Sequence, residues 1–145
     1  MPYIFTEGGG KRQRELTTEA AVFAASKLFP KTKNYNITIN LGSDANDCFE
    51  LDDREYEINI NKNVSKDDFL TAIFHEMVHV KQYIKNQMKD YNYKNWYEYI
   101  ALPVEKEAYK LQEVLLKQWN GIIMKTPKLK FLEENFLNRK KKFDY

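Results

Sequence analysis

Ser65-Lys66-Asp67-Asp68-Phe69-Leu70-Thr71-Ala72-Ile73-Phe74-His75-Glu76-Met77-Val78-His79-Val80-Lys81-Gln82-Tyr83 is the stretch on which the reading of this chain turns. At about 100° per residue, Phe69, Leu70, Ile73, Phe74, Met77, Val78, Val80 and Ile84 share one broad apolar arc. Asp68, Ala72, His75, Glu76, His79, Gln82, Tyr83 and Asn86 fill the other side, with the small Ala72 leaving room one turn before His75. Ser65 is the expected cap, and Asp67 and Asp68 complement the positive end of the helix dipole. The pattern predicts a helix from this cap to about Lys89.

His75 and His79 are the only histidines in 145 residues, and they fall at i, i+4 in the pattern HExxH. On a helix that spacing puts the imidazoles on one face, roughly 5–6 Å apart at Cβ, where both can reach one metal ion. Glu76 lies about 100° further round, placed to take a proton from water at the metal. The histidines sit off the apolar arc, which favours a metal site over buried core histidines.

The hydrophobic content of 43% with 14% aromatics excludes a disordered chain, and the length fits one domain with a real core. A net charge of +2 names no partner. The lone Cys48 permits neither an internal disulfide nor a thiolate metal cluster. No stretch approaches the roughly 18 apolar residues of a membrane span, and the N-terminus lacks the apolar run of a signal peptide. A cytoplasmic protein without membrane contact is expected.

Residues 1–14, with Gly8-Gly9-Gly10 and Lys11-Arg12-Gln13-Arg14, read as a flexible basic arm. Residues 17–28 read as a helix capped by Thr17 or Thr18 and ended by Pro30. Residues 35–41 alternate apolar and polar as a half-buried strand does. Residues 42–47 read as a turn. Residues 49–51 and 55–61 read as a hairpin, with Tyr56, Ile58 and Ile60 facing the core. The fold class is α+β, with an N-terminal helix and a small three-stranded, mainly antiparallel sheet. An exposed edge strand of that sheet can hold an extended peptide by strand addition.

After the HExxH helix, residues 90–95 read as a loop able to cover the site. Tyr91, Tyr93, Trp96, Tyr97 and Tyr99 form an aromatic cluster suited to core packing or to a substrate pocket. Pro103 opens a further helix that continues to about Trp119. Residues 129–137 are amphipathic and Arg139-Lys140-Lys141-Lys142 follow, the expectation being a helix on the domain with a solvated basic end. Nucleic-acid contact through that end is a weak reading, because lysine runs without a reading motif are unspecific. The expected division is an arm at 1–14, a domain at 15–122 and a helical tail at 123–145. Oligomeric state is not legible.

Two histidines leave a catalytic zinc site short of one protein ligand, and a carboxylate must supply it. Glu105 and Glu107 on the following helix are the candidates, about 200° apart, so only one belongs in the site.

HExxH followed by Glu105-Lys106-Glu107-Ala108 in the pattern ExxA resembles the gluzincin branch of zinc metallopeptidases, to which thermolysin and neprilysin belong. The stretch from Tyr99 to Ala108 also looks like the small SprT-like peptidase domains of phages and bacteria. The resemblance covers about residues 17–120 in order of elements, and only the two short motifs are specific. It implies a zincin-like fold, Zn²⁺ held by His75, His79 and Glu105, Glu76 as general base, and a protein or peptide substrate. Glu107 remains the other candidate ligand. Tyr109 stands where many relatives have an acidic residue that orients the first histidine. The oxyanion donor is sought among Tyr83, Tyr99 and Tyr109, with Tyr99 preferred. Alternatives are an inactive zinc-bound interaction module and a regulatory protease that cuts a single partner.

Overall fold

The computed structural model of the chain describes residues 2–88 and 92–136. Its elements run β1 (Tyr3–Glu7), α1 (Lys11–Leu28), β2 (Asn36–Asn40), β3 (Gly42–Asp52), β4 (Glu55–Asn61), α2 (Lys66–Ile84), α3 (Trp96–Ile100), α4 (Pro103–Ile123) and α5 (Pro127–Glu134). The class is mixed α+β, as expected. The sheet has four strands rather than three, in the order β1-β2-β4-β3. β1 and β4 both run parallel to β2, and only β3–β4 is antiparallel, so the expected mainly antiparallel sheet is corrected to a mixed one.

The additional strand comes from residues 1–14, which the sequence presented as a flexible arm. β1 pairs along β2 with Ile4 opposite Ile37 and Thr6 opposite Ile39. Its burial is inverted: Thr6 is buried, while Tyr3 and Phe5 are exposed with ring centroids 6.3 Å apart. Gly8 and Gly9 take left-handed φ values of 83° and 65°, which turns the chain from β1 into α1. The Arg14 guanidinium donates to the Gly9 carbonyl at 2.8 Å, and that of Arg12 lies 4.9 Å from the Phe131 ring centroid. The basic cluster is therefore tied into the fold. α1 begins at Lys11, and Thr17 is no cap but a buried residue whose hydroxyl donates to the Gln13 carbonyl at 2.7 Å.

The expected turn at 42–47 is instead the first half of β3, an edge strand whose register shifts between Gly42 and Asp47 and between Glu50 and Asp52. Polar, turn-prone residues suit an irregular edge. Ile37, Ile39, Tyr56, Ile58 and Ile60 are buried on one sheet face, as their alternation dictates. α1 packs against β1, and α2 against β3 and β4. Phe69, Leu70, Ile73, Phe74 and Met77 of α2 are fully buried, each contributing about 1.5–3 kcal/mol by leaving water.

α2 ends at Ile84 rather than near Lys89. Asn86 adopts φ 59°, with its N–H donating to the Tyr83 carbonyl at 3.0 Å and that of Gln87 to the Gln82 carbonyl at 2.7 Å. These two bonds make a Schellman stop, for which asparagine is a suitable left-handed residue. α4 packs along α2, its Trp119 ring 5.5 Å from Phe23 and 6.1 Å from Phe74. α5 lies on α1 and α4, with Leu129, Leu132 and Phe136 buried and Phe136 4.6 Å from Phe69 between ring centroids. Arg139 to Lys142, like Asp90 and Tyr91, lie outside the described residues. No helix among the described residues is long and apolar enough to cross a membrane.

Candidate metal centre

α2 and α4 bring together three donors from the sequence. His75 Nε2 lies 3.0 Å from Glu105 Oε1, and His79 Nε2 lies 3.0 Å from Glu105 Oε2. Ligand atoms of the three residues all fall within 4.8 Å of one another. Glu107 points elsewhere, bonded to Lys81 Nζ at 2.8 Å and accepting from Gln82 Nε2 at 2.9 Å. Of the two candidate carboxylates, the geometry brings Glu105 to the histidines. Helical spacing explains the outcome, since residues two apart on α4 face different sides.

The other imidazole nitrogens are held by amides. Gln112 Oε1 lies 2.7 Å from His75 Nδ1, and Gln82 Oε1 lies 2.6 Å from His79 Nδ1. Gln82 Nε2 donates to the Val104 carbonyl and to Glu107, both at 2.9 Å. Both of those partners are acceptors, which fixes the Gln82 amide with its oxygen towards His79. An amide oxygen only accepts, so His79 Nδ1 carries the hydrogen and donates it to Gln82, and His75 Nδ1 stands in the same relation to the Gln112 oxygen. The neutral rings then present lone pairs at Nε2, the atoms that face Glu105. Lone pairs facing a carboxylate at 3.0 Å require a proton or a cation between them. The cluster can therefore hold a metal ion, with two imidazole nitrogens and one carboxylate as donors.

Where protons rather than a cation fill that gap, the charged rings donate to Glu105 from Nε2. Burial works against ionised Glu105, yet hydrogen bonds from His75 and His79 and their charges hold its carboxyl down at about 2. Burial lowers His79, but its bond to Glu105 and the charge of Glu76 outweigh this and raise it. Glu76, 5% exposed, is pushed up to about 7 chiefly by burial; the two histidine charges oppose the rise, and Glu105 and Asp47 add to it.

Two cavities open on the cluster. The larger, about 470 Å³, is lined by Asp47, Cys48 and Phe49 of β3 together with Glu76, His79 and Glu105. The smaller, about 340 Å³, reaches Asp68, His75, Trp96, Tyr109 and Gln112. Tyr99 lines both, and its pKa is raised by burial, by the Glu105 charge and by a hydrogen bond to Glu105. Tyr109 lies against His75 with ring centroids 4.8 Å apart. Tyr83 lines neither cavity and instead sits beside Tyr56, at 5.9 Å between centroids.

No residue of α3 is buried, so its aromatics are not core. Tyr93, Trp96 and Tyr99 line the cavities, and Tyr97 does not. Gln82 and Gln112 went unnoticed as functional residues in the sequence. A signal existed, because Gln82 lies one turn after His79 and Gln112 two turns after Glu105 on the same face. No family model matches the chain, and no curated protein or solved structure matches it either.

Proposed function

We propose that this chain is a zinc-dependent peptidase of gluzincin type, with His75, His79 and Glu105 as the metal ligands and Glu76 as the general base. The observation that carries the proposal is the buried Glu76 carboxylate, beside a three-donor cluster that opens on two cavities. Catalytic zinc sites take three protein ligands and keep one position open, whereas structural sites are closed by four. Two histidines and a glutamate match the catalytic pattern, and the α2–α4 pair beside a small sheet supports a zincin-like arrangement.

When bound, zinc supplies Lewis acidity, polarising a carbonyl and lowering the pKa of a water to about 7. Glu76 then accepts the proton of the attacking water and delivers it to the departing amine. A carboxyl pushed up to about 7 when buried is suited to both halves of that exchange near neutral pH. Tyr99 keeps its proton, because burial and the Glu105 charge raise its pKa, and it donates a hydrogen bond to the oxyanion that develops. Tyr109, against His75, is the second hydroxyl lining the smaller cavity. β3 is the outer strand of the sheet and lines the larger cavity beside Glu76, so an extended peptide can add to the sheet there.

The test is elemental analysis of purified protein beside a peptide-cleavage assay of wild type and Glu76→Gln. One zinc per chain in both proteins, with cleavage only by wild type, is the expected result. Absence of zinc after reconstitution, or cleavage by Glu76→Gln at the wild-type rate, overturns the proposal.

A further inference from the structure

The two cavities form one trough through the centre, since Asn46, Glu76, Tyr99 and Glu105 line both. One wall is β3, an outer strand of the sheet. The opposite wall presents aromatic rings: Tyr93 and Trp96 flank Tyr99 at centroid distances of 5.1 and 5.6 Å, and Trp96 is 61% exposed.

Each arm of the trough also carries a carboxylate that the hydrolytic chemistry does not use. Asp47 lines the larger cavity and Asp68 the smaller. Neither is in an ion pair among the described residues, and Asp47 accepts one amide hydrogen, from Asn59 at 2.7 Å. No lysine or arginine lines either cavity among the described residues, although 23 of the 145 residues are Lys or Arg. A divalent cation at the centre offsets the charges of Glu76 and Glu105. Asp47 and Asp68, one on each side of it, keep no cationic side chain beside them among the described residues.

We infer that the trough selects an extended peptide segment bearing lysine or arginine, whose cationic ends reach Asp47 and Asp68. This inference rests on the peptidase reading above. A lysine or arginine stem lies along an aromatic ring while its head seeks a carboxylate, and the Trp96 and Tyr99 rings stand beside that path. An acidic peptide or a phosphate backbone meets like charge in both arms.

The test uses metal-loaded full-length Glu76→Gln, so that bound peptides stay intact. Its ligands are fluorescein-labelled peptides of equal length carrying lysine and arginine, or glutamine or glutamate in their place. Anisotropy at low salt should show the basic peptide binding about tenfold tighter than the glutamine peptide, with the glutamate peptide weakest. Asp47→Asn and Asp68→Asn should each remove about threefold to fivefold of that preference, and high salt most of it. Equal affinity for all three peptides, or a preference unchanged in the double Asp→Asn variant, overturns the inference. So does tighter binding of single-stranded DNA than of the basic peptide. Giving the same peptides to wild type separates this inference from the peptidase reading. Scission blind to charge overturns the selectivity and leaves the peptidase standing. Charge-selective binding without scission sustains the selectivity and removes the peptidase.

Discussion

Gln82 ties His79 of α2 to the start of α4. Its side chain is wholly buried and makes three hydrogen bonds, to His79, the Val104 carbonyl and Glu107. Gln82→Leu keeps much of the volume and removes every bond. Glu107 retains Lys81 at 2.8 Å, and the Val104 carbonyl lies within α4, where the helix offers it a backbone N–H. The His79 Nδ1 hydrogen is the group left stranded, in a residue only 6% exposed. An unsatisfied buried donor costs about 1–3 kcal/mol, and each lost neutral bond about 0.5–1.5 kcal/mol. Apolar burial of the leucine returns part of this, so the metal-free variant should be less stable by about 2–4 kcal/mol. The His79 ring also loses the partner that fixes its tautomer, and metal affinity should fall about 10- to 100-fold. Urea denaturation of metal-free protein and competitive metal titration measure the two effects separately. Gln112→Leu provides the contrast, since Gln112 makes its bond to His75 from a less enclosed position. It should weaken metal binding with the smaller loss of stability. Unchanged metal affinity in both variants would refute the idea that these amides hold the histidines ready for a cation.

Glu105→Gln should lose the metal in elemental analysis while Glu107→Gln keeps it, and the reverse pattern would exchange their roles. Glu76→Gln should retain metal and lower turnover by at least about 10²-fold in a peptide assay. The metal should leave on acidification, because two histidines must be neutral to bind it. Occupancy measured by competitive titration should fall steadily as pH drops, and occupancy independent of pH would refute an ion held by imidazole nitrogens. In metal-free protein the Glu105 carboxyl lies below its ordinary 4.5, at about 2, so its contribution to stability is present above 4.5 and lost as pH falls towards 2. Denaturation of wild type and Glu105→Gln across that window should therefore converge at the acid end. Ile58→Ala, at a fully buried position facing α2, should cost about 2–5 kcal/mol in urea denaturation.

The helix bearing the centre was legible because its two histidines, its cap and its apolar residues all agree on one period. β4 was legible for the same reason, with Tyr56, Ile58 and Ile60 alternating cleanly inward. β1 was hidden because its exposed residues are aromatic and its buried one is Thr6, the inverse of what alternation reports. Gly8 to Gly10 look like a linker in sequence, yet two of them hold a left-handed reversal that L side chains resist. β3 was hidden because an irregular edge strand tolerates glycine, asparagine and aspartate. The choice between Glu105 and Glu107 depends on the rotation of α4 against α2, which tertiary packing sets and spacing along one helix does not. The acidic character of both arms of the trough comes from Asp47 and Asp68, on a strand and a helix that only the fold brings to one cleft.

The buried apolar core runs from Leu16 to Phe136 and draws on the sheet and on α1, α2, α4 and α5, enough to fold the chain without help from an ion. Metal uptake then resembles the filling of a preformed socket rather than a folding event, unlike small zinc modules whose chain collapses only around the ion. Chelation should silence such a protein without unfolding it, leaving circular dichroism unchanged and activity restored on resupply. A cell could therefore hold the protein folded and idle, and set its working fraction through the free concentration of the ion.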